Sequence, residues 1–134
     1  MKVKITADTN VLLRAVVGDD EAQQQAAIRT LESAELVAIS AHSLCELVWV
    51  LDRGYKTARS DIASVVSHVL EMRNVVVNRP AVESGLRVLE AGGDFADGVI
   101  AYDGNWLGGD TFVSFDKRAV SLIRQQGQRA RLLT

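Results

Sequence analysis

Four carboxylates are the residues best suited to chemistry: Asp8, Glu46, Asp97 and Asp116. Asp8 closes an alternating apolar run and begins Asp8-Thr9-Asn10. Glu46 is the sole charge between Leu44 and Leu51, Asp97 stands three positions after Asp94, and Asp116 directly precedes Lys117-Arg118. Carboxylates gathered together disfavour one another's ionised form unless protons or cations intervene. A divalent cation resolves that conflict. An oxygen-only set with no Cys/His cluster suits Mg²⁺ or Mn²⁺ rather than zinc. Such an ion beside open water positions suits phosphodiester hydrolysis, because it activates water and offsets charge developing on the attacked phosphoryl group.

Each acid also has a plainer role. Asp8 can open a turn, and Asp116 can cap the helix that starts at Lys117. In the pattern Asp94-x-x-Asp97, Asp94 caps a helix and Asp97 favours its dipole. Glu46 is harder to explain away: amid apolar neighbours it needs a partner or a metal, unless the helix turns that one position outward. His42 and His68 read as surface or otherwise satisfied residues, and Cys45 as a small core residue with no His spaced to activate it. Trp49 and Trp106 read as packing or interface residues rather than base-stacking platforms.

The elements that must position these acids alternate along the chain. Val3, Ile5 and Ala7 mark a strand ending near Asp8. A short helix over Val11–Val17 closes at Gly18, and Asp19 or Asp20 caps a helix running through Ala26, Ala27, Leu31 and Ala34. Leu36–Ile39 is a second strand. Ser40 caps a helix with Leu44, Leu47, Val48 and Leu51 on one face, stopped at Gly54. Ser60 or Asp61 opens a helix striped by Ile62, Val65, Val66, Val69 and Leu70, and Val75–Val77 is a third strand. A helix follows from Arg79-Pro80 to Ala91, ended by Gly92-Gly93, and Asp94 caps another that ends before Gly108-Gly109. Thr111–Phe115 is a fourth strand, Lys117–Gln126 a helix and Ala130–Leu133 a fifth strand.

This alternation predicts an α/β fold: a three-layer α/β/α sandwich around a central, mainly parallel five-stranded sheet, within a single domain over residues 1–134. In a parallel sheet the C-terminal strand ends lie on one edge, where ligands bind. Asp8 and Asp116 end strands, while Glu46 and Asp97 lie early in helices, so all four are expected on one rim.

Composition narrows the class. A chain of 134 residues, 48% apolar and 24% charged with one proline, fits one ordinary globular domain and not a disordered chain. The single cysteine forms no internal disulfide, the opening Met1–Asp8 does not read as an export signal, and no apolar run approaches the roughly 20 residues of a membrane helix. A cytoplasmic protein with no membrane partner is expected. The net charge of −2 hides an asymmetry: residues 1–116 hold ten basic residues and all seventeen acids, a balance of −7, whereas 117–134 hold five basic residues and no acid. Such a tail can meet phosphate, or be an ordinary solvated surface.

Taken in order, Asp8-Thr9-Asn10-Val11-Leu12-Leu13-Arg14, Cys45-Glu46-Leu47-Val48-Trp49-Val50-Leu51, Asp94-Phe95-Ala96-Asp97-Gly98-Val99-Ile100-Ala101 and Phe112-Val113-Ser114-Phe115-Asp116-Lys117-Arg118 resemble the four motifs of the PIN-domain ribonucleases, especially the VapC-like toxins of bacterial toxin-antitoxin modules. No one motif is decisive; four in order are a strong signal. The resemblance implies that Asp8, Glu46, Asp97 and Asp116 form an acidic Mg²⁺/Mn²⁺ site, with Asp8 and Asp97 the direct ligands and Asn10 and Ser114 supporting by hydrogen bonds. It further implies RNA cleavage, a homodimer and a cognate antitoxin protein. Ser114 stands where the family usually has threonine, and Gly98 where alanine is common, which is expected to loosen the turn that aims Asp97. Two other readings compete. A phosphatase forming an aspartyl-phosphate with Mg²⁺ wants an acid where Asn10 stands. A non-catalytic binding module on the same fold sits poorly with four retained acids.

Overall fold

The computed structural model describes residues 3–134; Met1 and Lys2, the start of the opening read above, lie outside them. By its contacts the chain divides between Asn78 and Arg79 into two compact units.

The first unit runs β1 (Lys4–Thr6), α1 (Thr9–Val16), α2 (Glu21–Ser33), β2 (Leu36–Ala38), α3 (Ala41–Arg53), α4 (Arg59–Glu71) and β3 (Val75–Val76). Its strands form a parallel sheet in the order β1-β2-β3, with Ile5 opposite Val37 and Val37 opposite Val75. Parallel neighbours need crossover connections, and the helices supply them. Val37 on the central strand is fully buried, with Leu44 and Leu47 of α3 and Ile62 and Val66 of α4 forming the surrounding core. Local chemistry sets the helix ends. Asp8 caps α1 by accepting from the Val11 N–H, Asp20 rather than Asp19 caps α2, and Ser40 caps α3. Asp19 instead pairs with Arg14 at 2.7 Å and accepts from the Tyr55 hydroxyl at 3.0 Å. The Asn74 amide donates to the carbonyls of Leu31 and Ala34, satisfying the end of α2. Helix α1 runs Thr9–Val16 rather than Val11–Val17, because the Asp8 cap starts it two residues earlier. Helix α4 starts at Arg59, with Ala58 at the cap position and no side-chain cap. Helix α3 stops at Gly54 as expected, but in right-handed backbone, and the left-handed residue of that turn is Lys56.

The second unit runs α5 (Arg79–Glu90), α6 (Phe95–Trp106), β4 (Thr111–Ser114), α7 (Lys117–Gln125) and β5 (Arg129–Leu132). Phe95, Val82 and Val88 are fully buried, and Val120, Leu122 and Ile123 of α7 pack with Val88, Ala101 and Ala130, flanked by Phe112 and Leu132. Helices α5 and α6 approach closely because both are glycine at the crossing. A Cβ on Gly98 would lie 2.4 Å from the Ser84 carbonyl oxygen and 2.6 Å from the Gly85 Cα, and one on Gly85 would meet Phe95 and Val99 at 2.9 Å or less. Ser84 Oγ, buried, donates to the Gly98 carbonyl at 3.0 Å. Gly98 therefore fastens α6 rather than loosening it, contrary to the expectation from the sequence. At the α5–α6 turn Gly92 takes left-handed backbone (φ 99°), and the Arg118 side chain donates to its carbonyl at 3.0 Å.

The α/β class and parallel pairing hold, but the single five-stranded sheet does not. Strands β4 and β5 form their own parallel pair, and the described residues contain one three-stranded and one two-stranded sheet. The physical reason lies in edges. Strand-helix alternation specifies parallel neighbours, but not how many ladders close, and with strands of two to four residues each of β1 and β4 bonds only one neighbour. Ladder bounds also shift: Ile39, Val77 and Phe115 fall outside β2, β3 and β4, and β5 runs one residue earlier than expected, over Arg129–Leu132.

Candidate functional site

In the first unit, Asp8 follows β1 and its Oδ1 accepts from the Val11 N–H at 3.1 Å. That cap occupies one carboxylate oxygen and leaves the other without a hydrogen bond, so capping does not exhaust the residue. Glu46 lies on α3 with its side chain 52% exposed, the outward turn that its apolar neighbours allow. It is not solitary. The Thr9 hydroxyl donates to Glu46 Oε1 at 2.8 Å, and His42 Nε2 stands 3.5 Å from the same oxygen. Because Thr9 is the first residue of the helix that Asp8 caps, this bond ties Glu46 to the Asp8 turn. Neither Thr9 nor His42 stood out in the sequence as a site residue. The usable signals were the hydroxyl beside Asp8 and the i,i+4 spacing of His42 and Glu46. Asn10 is exposed on the first turn of α1 and its amide makes no hydrogen bond among the described residues.

In the second unit, Asp94 caps α6 by accepting from the Ala96 N–H, which leaves Asp97 in the first helical turn. Strand ends do not explain that placement, since α6 follows a helix; the close α5–α6 crossing does. Asp97 is half-buried, and its carboxyl has no hydrogen-bond partner among the described residues. Its pKa is pushed up from 3.8 to about 6, first by burial and then by the negative charges of Asp94 and Asp116. Asp116 follows β4 and caps α7, its Oδ1 accepting from the N–H groups of Arg118 and Ala119. Ser114 Oγ accepts from the Asp116 N–H at 3.0 Å, so serine retains the hydroxyl contact expected at that position.

The side chains match a hard cation in type, since the four acids and their neighbours Thr9 and Ser114 offer carboxylate and hydroxyl oxygens, and a carboxyl whose proton affinity is raised by burial and then by neighbouring negative charge gains from a divalent ion. Among the described residues, no three His, Cys, Asp or Glu side chains are grouped as a ready-made metal cage. A cleft of about 590 Å³ in the first unit, lined by residues such as Leu12, Ile28, Leu47 and Val69, is apolar and contains none of the four acids. Cys45 is half-buried, and both tryptophans are well exposed, Trp49 at 60% and Trp106 at 80%, so neither packs inside the chain. No helix among the described residues is long and apolar enough to cross a membrane.

Parallel strands joined by helices, with acids at strand ends and helix starts, make this an α/β protein whose acids stand where such folds bind ligands. The family is named by its profile: that of the PIN domain matches residues 5–122, and the chain belongs to this family. PIN domains are in general metal-dependent nucleases. No curated protein matches the chain.

Proposed function

We propose that the protein is a Mg²⁺- or Mn²⁺-dependent endoribonuclease, the toxin of a toxin-antitoxin pair, active in the cytoplasm as a homodimer and restrained by a cognate antitoxin. The observation that carries this reading is Asp97: half-buried, without a hydrogen-bond partner, and pushed to about 6 by burial and by two acids of its own unit. A carboxyl so placed gains most when a divalent cation replaces its proton.

In this reading Asp8 and Asp97 hold the ion, and Glu46 and Asp116 hold a further ion or orient the attacking water. When bound, the ion supplies charge neutralisation at the phosphoryl oxygens and a more acidic water. The chain's own residues do the rest. Thr9 fixes the Glu46 carboxylate, Ser114 holds the turn that presents Asp116, and the caps at Asp8 and Asp116 orient one oxygen of each while leaving the other for a ligand.

The test is cleavage of RNA by purified protein with Mn²⁺, alongside growth on induced expression. Asp97→Asn is expected to abolish both cleavage and growth inhibition while remaining folded. Cleavage and toxicity that persist in the folded variant overturn the proposal.

A further inference from the structure

The two-stranded sheet of the second unit has one covered face and one open face. Phe112, Ala130 and Leu132 join the core around α7, whereas Thr111, Val113, Arg129 and Arg131 are exposed. Parallel register places Thr111 opposite Arg129 and Val113 opposite Arg131, so these four side chains share the open face. Phe115 continues the alternation one step past β4 and is 73% exposed, immediately before Asp116. Arg129, Arg131 and Lys117 make no ion pair or hydrogen bond among the described residues, unlike Arg118 and Arg124, which are spent on the carbonyls of Gly92 and Ala130. An exposed aromatic ring beside uncompensated cations combines the two attractions that single-stranded nucleic acid offers, stacking on a base and neutralisation of phosphates. A protein partner could cover the ring as well, but the row of cations on the open face, with no acid at any register position of β4–β5, favours a repeating anion such as the RNA backbone.

We infer that this open face is a platform for single-stranded RNA, with Phe115 stacking on an unpaired base and Arg129 and Arg131 meeting phosphates, so that the strand is led to Asp116. The inference rests on the ribonuclease reading for its substrate but concerns binding, which can be measured apart from cleavage. It also replaces the plainer reading of the basic tail as mere solvated surface.

The test is fluorescence anisotropy of a labelled 12-nucleotide single-stranded RNA with the full chain in EDTA, so that nothing is cut, across a salt series. Phe115→Ala is expected to weaken binding about tenfold and Phe115→Trp to restore it. Arg129→Gln with Arg131→Gln should flatten the log–log salt dependence by about 1.4, the share of two phosphates on a single strand. Wild-type affinity and salt dependence in these variants, or no binding by the unaltered protein, overturns the inference. Loss of a dimer in Phe115→Ala, seen by sedimentation, with RNA affinity unchanged also overturns it and assigns the face to a second copy of the chain. Cleavage with Mn²⁺ is scored separately: binding without cleavage leaves the platform standing and removes the nuclease reading, and cleavage with unaltered binding in the variants does the reverse.

Discussion

Asp97 holds its proton more tightly folded than unfolded, and this has a definite sign. The folded carboxyl titrates near 6 and the unfolded one near 3.8, so between these values the native state binds more protons. The stability this group contributes is full below the lower value and is lost as pH rises through the upper one. Discounted for the solvent screening of a half-exposed group, the loss is on the order of 1 to 2 kcal/mol. Urea denaturation of wild type and Asp97→Asn should therefore show equal stability near pH 3.5 and a more stable variant at pH 7.5. A variant less stable at pH 7.5 would refute the assigned burden. Thr9 gives a second test at this scale. Thr9→Val keeps the shape but removes the bond to Glu46, and is expected to cost about tenfold in Mn²⁺ affinity with a stability change of about 1 kcal/mol or less. Calorimetric titration reads the first and thermal unfolding the second. Sequence spacing singled out Asp8, Glu46, Asp97 and Asp116, but not Thr9, because a hydroxyl reaching across 37 positions leaves no local pattern.

At the scale of elements, the α5–α6 crossing fixes the first turn of α6, in which Asp97 lies. Gly98→Ala places a methyl 2.4 Å from the Ser84 carbonyl, a contact that backbone must yield to. It should destabilise the protein by about 2 to 3 kcal/mol despite alanine's better helix propensity, as thermal or urea unfolding would show. A neutral or stabilising result would mean the helices separate at no cost. Asp116→Ala removes a side chain that caps two N–H groups and should cost about 1 kcal/mol in addition to its effect on cleavage. Most helix boundaries were readable because Asp20, Ser40, Asp94 and Asp116 announce themselves locally as caps. The start of α4 was not, since Ala58 offers no cap to read, and Gly98 was misread because propensity is a one-helix quantity and its role belongs to two helices.

At the scale of the whole molecule, what was legible was the α/β class, the parallel pairing and the order of the acids along the chain. The number of ladders was not, because pairing between edges of very short strands depends on long-range register rather than on any pattern within a strand. The charge asymmetry was visible as a basic tail, but only the fold divides it, spending Arg118 and Arg124 of α7 on carbonyls while the β4–β5 register leaves Arg129 and Arg131 on an open face. The proposed function turns on Asp8 and Asp97 as the residues that hold a divalent ion. Manganese binding measured by electron paramagnetic resonance is the decisive measurement, on the unaltered protein and on Asp8→Asn and Asp97→Asn. The unaltered protein is expected to bind Mn²⁺, and each substitution to weaken that binding at least about tenfold. Unchanged Mn²⁺ affinity in either folded variant would contradict it.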